Sequence, residues 1–342
     1  MLKKLYFLLI IILLANAPTI VHADASVYRG DGYDVYPIQN SDVQLVAETI
    51  VITDNFAFGR NPPFGKGRFT INVDMTFKNH GPDTTLQMGF PVLVDDRGGE
   101  LIEINTYFHT WVDGKGVPIT RKQGVPNPLK DDWEFSKTVY TYSVSFKQEE
   151  TKEIKNSYNV SGTDFNTGRW ELRYILRTGS LWKGVIEDFS LIYKTHISKA
   201  KNIFGFQPRE QQSVVKGEEL HILWNFKNFK PKNDFLVVGG ATKINPTILV
   251  ASSLSEDMED LKSEARYLSP EELRYARNKV YASYGYPFKS PFVRAQFYYP
   301  GSPYKESASF SEQKMSKEHL AYVDFLSKLE AEKLKKEEDI KR

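Results

Sequence analysis

Residues 71–78 read INVDMTFK, in which Ile71, Val73, Met75 and Phe77 alternate with Asn72, Asp74, Thr76 and Lys78. A period of two puts the apolar set on one face and the polar set on the other, as in a strand with one face in a core. The period recurs at Leu86, Met88 and Phe90, and at Tyr140, Tyr142, Val144 and Phe146. Trp170, Leu172, Tyr174 and Leu176 repeat it, as do Phe189, Leu191 and Tyr193, then Ile222, Trp224 and Phe226. Strands this numerous, spaced by Gly, Pro, Asn and Asp turns with no long helix between them, argue against a parallel α/β sheet. They predict a mainly β chain of immunoglobulin-like antiparallel β-sandwich architecture.

Two prolines and a glycine in RKQGVPNPLKDD, residues 121–132, mark a linker or a long inter-sheet loop. The reading is one β-sandwich domain over residues 25–124 and a second over 131–251, with a single large sandwich as the alternative. The loop GRNPPFGKGR, 59–68, has a Gly-x-Gly pair at Gly65 and Gly67 but no following Lys-Ser/Thr, so it reads as a turn and not a phosphate cradle.

Beyond about Ser252 the apolar period lengthens to three and four. Leu254, Met258 and Leu261 outline a short helix. Ser269, Pro270 and Glu272 spell a helix start: a capping hydroxyl, a proline where no N–H is needed, and a glutamate three residues after the cap. Leu273, Ala276, Arg277, Val280, Tyr281 and Tyr284 then share a face, and Gly285 is placed to end the helix with a positive φ. A last helix runs from after Ser316 through Leu320, Val323, Leu326 and Leu329. Its charged tail, residues 328–342, mixes both charge signs with few apolar residues and is expected to be a solvated helix fraying into disorder.

The first residues carry Lys3 and Lys4, then FLLIIILLA (7–15), then Val21-His22-Ala23 at cleavage spacing, with Ala23-Asp24-Ala25 as a second option. Residues 1–23 therefore read as a secretory signal peptide, an uncleaved anchor being the alternative. No later run reaches the ~20 apolar residues of a span, so no stable membrane span is expected after cleavage. The chain has no cysteine, which removes disulfides, thiol-linked lipid and cysteine-based zinc sites. An exported chain without disulfides has to stand on apolar burial, and a bacterial exterior of Gram-positive type fits it. Removing Lys3 and Lys4 with the leader brings the 45 basic side chains level with the 43 acidic ones. A balanced chain without a basic stripe is a poor nucleic-acid ligand.

Catalytic chemistry finds little purchase. His80, His109, His196, His221 and His319 stand at no metal-binding spacing, and neither a His-Glu-x-x-His nor a Gly-x-Ser-x-Gly motif occurs. No catalytic residue, metal or cofactor is assigned. Asp95–Glu100 (DDRGGE) reads as a hairpin turn, with a calcium loop as the weaker option. Acidic residues are numerous enough that a carbohydrate-active hydrolase using a carboxylate pair stays open.

Aromatic side chains are dense in the C-terminal segment, where core packing and an exposed stacking platform compete as explanations. Tyr281, Tyr284, Tyr286 and Tyr298 are the binding candidates, with Arg277 beside them. Arg277 either clamps a ligand carboxylate or ties to a glutamate of its own module. In TGSLWKG, 178–184, Trp182 either folds back as a lid on the sandwich or stands at a loop tip as a recognition anchor.

The stretch LSPEELRYARNKVYASYGYPFKSPFVRAQF resembles the bacterial YARHG domain. Leu273, Arg277, Asn278, Tyr281, Ala282, Gly285, Phe288 and Phe297 stand where that pattern wants them, while Ser283 and Tyr284 replace its arginine and histidine. The resemblance covers residues 266–327 and implies an extracytoplasmic helical domain of the kind appended to other exported domains. The β-rich part, 27–245, resembles the exported bacterial family known as domain of unknown function 4424. Val73–Phe77 with Asn79, Met88-Gly89-Phe90-Pro91, Trp170-x-Leu172-x-Tyr174 and the Thr178–Gly184 block carry that resemblance, which brings no catalytic residue. The expected protein is a secreted envelope binding or structural protein without catalysis. Its partner is a cell-wall polymer or an exported protein. An assembly factor that adds a peptide to a bare edge strand is the third option.

Overall fold

INVDMTFK lies in strand β4 (Phe69–Asn79), whose side chains alternate between buried and more exposed positions along all 11 residues. The computed structural model describes residues 25–29, 34–40, 42–58, 68–92, 108–124, 138–164, 168–240 and 258–340. Residues 1–23, the Gly65/Gly67 turn, Asp95–Glu100, Leu254 and most of the 121–132 segment lie outside them.

Strand β4 sits inside an eight-stranded sheet. From one edge it runs β15 (Gln212–Lys216), β16 (Glu219–Phe229), β13 (Ile186–His196), β3 (Val43–Asp54), β4, β10 (Thr151–Val160), β6 (Phe108–Val112) and β7 (Lys115–Gly116). Its neighbours are antiparallel except β13 and β3, which run parallel and set Leu191 beside Ile50 and Tyr193 beside Ile52. A four-stranded sheet orders β11 (Thr163–Asp164), β12 (Arg169–Tyr174), β17 (Phe235–Gly240) and β14 (Ile203–Gln207). A closed barrel joins β1 (Ser26–Arg29), β2 (Asp34–Ile38), β8 (Thr120–Gly124), β9 (Thr138–Phe146) and β5 (Thr84–Val92).

The chain is thus mainly β with several antiparallel sheets, but an immunoglobulin-like pair of sheets does not describe this strand order. The division into sandwiches at 25–124 and 131–251 is also corrected. Strands from both stretches alternate within one sheet, and β9 closes a barrel made otherwise from the first stretch. Alternation in a sequence identifies strands and their inward faces; it does not choose partners.

The sheets meet over a single apolar core. Phe206 meets Trp224 edge-on at 5.2 Å, and Trp224 meets Phe235 the same way at 4.9 Å. Such pairs add about 0.5–1.5 kcal/mol each beyond area burial. Charged side chains are buried there too, Asp54 among them. Asp54 accepts from Arg68 Nε and Nη2 at 3.2 and 2.8 Å, and that guanidinium lies 3.7 Å over the Trp170 ring. Tyr193 donates to the same carboxylate at 3.4 Å. A buried carboxylate requires compensation of this kind. Burial, then the Asp54 charge, pushes the Tyr193 phenol well up.

Four helices follow: α1 (Met258–Ala265), α2 (Pro270–Ser283), α3 (Pro291–Phe297) and α4 (Lys317–Ile340). One face of α2, with Leu273, Ala276 and Val280, packs with Tyr322, Val323, Leu326 and Leu329 of α4. The opposite face sends Tyr275 against Phe204 of β14 at 5.3 Å, within the core of the β body. Arg169 of β12 also reaches Glu272 at 3.6 Å. Helices and sheets therefore share a core. The tail read from residue 328 as a fraying helix is helical to Ile340. Leu329 and Glu330 are buried against α2, so packing holds the helix past the point where composition alone predicts fraying. Among the described residues no helix is long and apolar enough to cross a membrane.

Candidate functional site

Helix α2 begins and ends as its sequence dictates. The Ser269 hydroxyl accepts from the Glu272 N–H at 3.3 Å, and the Glu272 carboxylate accepts from the Ser269 N–H at 2.8 Å. At the other end Gly285 takes φ +80°. The Gly285 N–H donates to Ala282 at 2.9 Å and the Tyr286 N–H to Tyr281 at 3.2 Å. This is a Schellman cap, whose usual companion is an apolar contact between the residues three before and two after the capping residue. Here those residues are Tyr281 and Tyr286, with ring centroids 5.2 Å apart. Phe310 stands edge-on to Tyr286 at 5.0 Å and to Tyr281 at 6.4 Å. Phe288 continues the row at 5.0 Å from Tyr286.

The helix cap thus builds an aromatic ridge. Tyr281, Tyr286 and Phe310 are half-buried, and Phe288 closes the ridge from beneath. Tyr298 buttresses it by donating its hydroxyl to the Tyr286 carbonyl at 2.7 Å. Burial, helped by Glu306, pushes the Tyr298 phenol up to about 12. Burial and then Glu312 raise that of Tyr281. The Tyr281 phenol therefore stays protonated at neutral pH, and the ridge offers ring faces.

The other candidate residues have inward work. Arg277 Nη1 donates to Glu330 Oε2 at 2.6 Å, while Arg274 takes Glu330 Oε1 through Nε at 2.8 Å and Nη2 at 2.6 Å. The guanidinium of Arg277 is committed to its own module and does not face a ligand carboxylate. Tyr284 points between α2 and α4, its hydroxyl 2.6 Å from His319 Nδ1 and accepting from the Ser316 N–H at 3.1 Å. Tyr284 therefore bridges the end of α2 to the start of α4 and is not turned toward the ridge. Trp182 is 3% exposed. Its indole donates to the Ala25 carbonyl at 3.2 Å and its ring meets Phe77 at 4.7 Å. The loop-tip anchor is thereby corrected, because Gly184 (φ +67°) turns the chain so that the indole folds onto the end of the body. Trp182 does not join the ridge.

Sequence reasoning missed Glu330, Phe310 and His319. Helical spacing predicts neighbours within a helix, whereas these three reach α2 from elements some 25 to 55 positions away. A basic residue on α2 opposite an acid on the last helix was the one available signal. Among the described residues no group of three His, Cys, Asp or Glu side chains could hold a metal ion.

Residues 248–331 match the YARHG domain, a span that takes in α1 to α3 and α4 as far as residue 331. No curated protein matches the chain. Among solved structures it is similar to a candidate nutrient-binding protein of Legionella pneumophila at 22% identity, over 90% of this chain and 99% of that one, with a TM-score of 0.49. It is similar to an M1 zinc metallopeptidase of Deinococcus radiodurans at 9% identity, over 59% of this chain and 43% of that one, with a TM-score of 0.32. Aminopeptidase A of Legionella pneumophila, crystallised with aspartic acid, stands at 9% identity, 63% and 23% coverage and a TM-score of 0.32. The chain spans less than half the length of either peptidase.

Proposed function

We propose that this is an extracytoplasmic binding protein without catalytic activity, which contacts cell-wall polymer through the ridge of Tyr281, Tyr286 and Phe310. One observation carries the reading. The ring faces stay half-exposed while the Arg277 guanidinium is tied to Glu330 at 2.6 Å, so the ridge presents stacking surface and not a free guanidinium. Tyrosine rings supply contact area at low entropic cost and leave a hydroxyl for hydrogen bonding, which suits a sugar face or a peptide proline. An exported protein is the alternative occupant. Export by the leader at 1–23 and kinship of the β body with domain of unknown function 4424 belong to the same reading.

The test is retention on purified bacterial cell walls. The wild-type chain and a Tyr281→Ala/Tyr286→Ala variant are compared after each has been shown to be folded by near-UV dichroism. The wild type is expected to sediment with the walls and the variant to lose at least about tenfold in affinity, equivalent to about 1.4 kcal/mol. Equal retention of both would exclude the ridge as the contact.

A further inference from the structure

The face of an aromatic ring is electron-rich, so a cation resting on it is attracted without an ionised partner. The protein uses this attraction within itself. Arg68 lies 3.7 Å over the Trp170 ring, Lys201 lies 4.7 Å over Tyr299, and Lys262 and Arg266 lie 6.0 and 5.8 Å over Phe325. Among the described residues no side-chain cation stands over Tyr281, Tyr286 or Phe310.

The centroids of those three rings form a triangle with sides of 5.0, 5.2 and 6.4 Å, and their planes stand 77°, 53° and 66° apart. A group seated above such a triangle reaches all three rings within the ~6 Å over which a cation is attracted. A carboxylate stands at the rim. Glu312 is exposed, and its Oε1 accepts from the Tyr281 hydroxyl at 3.5 Å. Its backbone is held in place. Glu312 opens a single 3-10 turn, Glu312–Lys314, that is capped by Ser311 and closed by the Met315 N–H donating to the Glu312 carbonyl at 3.0 Å. Met315 is buried in the apolar cluster of α2 and α4. Cations close in sequence or on α2 are engaged elsewhere: Lys314 Nζ donates to the Ser309 carbonyl at 2.7 Å, and Arg277 is tied to Glu330. Among the described residues Glu312 makes no ion pair.

We infer that the ridge and Glu312 together select an ammonium group, so that the polymer they contact is one that carries amines. This rests on the ridge as the wall contact proposed above and adds the charge of its ligand. Electron-rich ring faces and a carboxylate without an ion pair are complementary to one sign only. A neutral sugar would use the rings and leave Glu312 without a role, and an anionic group would be repelled by it. An exposed ion pair alone is worth less than about fivefold in affinity, so the rings supply most of the binding and Glu312 sharpens the choice. Glu312 is thereby a specificity-determining residue and the tyrosines are the contact surface.

The experiment titrates the full chain with choline and with 3,3-dimethylbutan-1-ol, which has the same shape without the charge, at matched ionic strength. Binding is read from the ring signals of Tyr281 and Tyr286 by NMR, in the wild type and in Glu312→Gln. Choline is expected to bind the wild type at least about fivefold more tightly than the alcohol. Glu312→Gln, an exposed and nearly isosteric change, should narrow that preference at least about twofold and leave the alcohol unaffected. Equal binding of the two probes, or ring signals that neither moves, would overturn the ammonium site. A preference unaltered in Glu312→Gln would overturn the role of the carboxylate. A second arm uses purified walls whose amines have been acetylated. Wild-type retention should fall at least about threefold on them, with Tyr281→Ala/Tyr286→Ala weak on treated and untreated walls alike. Full wild-type retention on acetylated walls, with that variant still weak, would overturn the amine as ligand while the ridge stands as the wall contact. A choline preference in a protein whose wild type and double tyrosine variant sediment equally would uphold the ammonium site and overturn the wall as the source of its ligand.

Discussion

Replacing Glu330 by glutamine keeps the shape of the side chain and removes the charge that holds α2 to α4. Its carboxylate takes three N–H bonds from Arg274 and Arg277 at 2.6–2.8 Å, with side-chain exposures of 8% for the acid and 12% and 19% for the arginines. Hydrogen bonds to charged groups contribute about 1.5–3 kcal/mol each, and breaking a buried pair costs about 3–5 kcal/mol. Water still reaches both guanidiniums in part and recovers some of this, which puts the expected loss near the lower limit, about 3 kcal/mol. How far that moves the melting point depends on what melts with the module. A unit of 60–100 residues shifts by about 4–8 °C per kcal/mol and one of 150–250 by about 2–4 °C, so the fall is about 12–24 °C for a module melting alone and about 6–12 °C or less for one melting with the body. The shared core around Tyr275, Phe204, Phe292 and Phe297 predicts the smaller figure. The assay separates the two, because Trp111, Trp170, Trp182 and Trp224 lie in the β body and no tryptophan lies after residue 240, whereas dichroism at the helical minimum reports the module. The two signals should fall together in wild type and variant. A helical transition that moves alone by more than about 12 °C, with tryptophan fluorescence unmoved, would refute the shared core. A total loss below about 1 kcal/mol would refute the carboxylate clamp.

Three further outcomes follow from local geometry. Gly285→Ala should cost about 2–3 kcal/mol in chemical denaturation, since an alanine there takes φ +80° and meets Ser307 Cβ at 2.7 Å; Gly114→Ala, with φ +75° in open space, should cost only about 1 kcal/mol, and equal losses would contradict the close approach. Trp182→Ala should lower stability by about 3–5 kcal/mol through the cavity it leaves beside Phe77, whereas a loss under about 0.5 kcal/mol would fit an exposed side chain. Burial holds the His319 pKa below the ordinary histidine value, with Glu318 opposing, so the native state keeps the ring neutral and the unfolded state takes the proton first. Stability from this group is then complete above about pH 6.5 and is lost as pH falls from there through the native pKa; His319→Gln should flatten that part of the profile, and an unchanged slope would place the effect elsewhere.

The readable parts of this fold were those set by near neighbours. The alternation of Ile71, Val73, Met75 and Phe77 named one face of β4, and all four side chains are buried. Ser269, Pro270 and Glu272 marked the start of α2, and Gly285 its end, because capping is decided within a few residues. What could not be read was pairing at a distance. Nothing in the β3 stretch announces that Ile50 will sit beside Leu191 in a parallel register, since apolar alternation is the same whichever strand arrives. The same limit hid Glu330 from Arg277 and Gln296 from the Ile203 carbonyl. Of the ridge, the sequence marked out Tyr281, Tyr286 and Tyr298. It could not separate them from Trp182 and Arg277, whose orientation depends on Ala25 and on α4. Tyrosine serves core and surface equally well, so residue type alone does not fix which way the ring faces.

The ridge itself is tested most directly by hydroxyl-radical footprinting of the intact chain with and without purified cell walls, read at single tyrosines by mass spectrometry. Tyr281 and Tyr286 should lose labelling in the presence of walls. Tyr267, 86% exposed and outside the ridge, should label as before. Unaltered labelling of Tyr281 and Tyr286 on walls that retain the protein would contradict contact through the ridge.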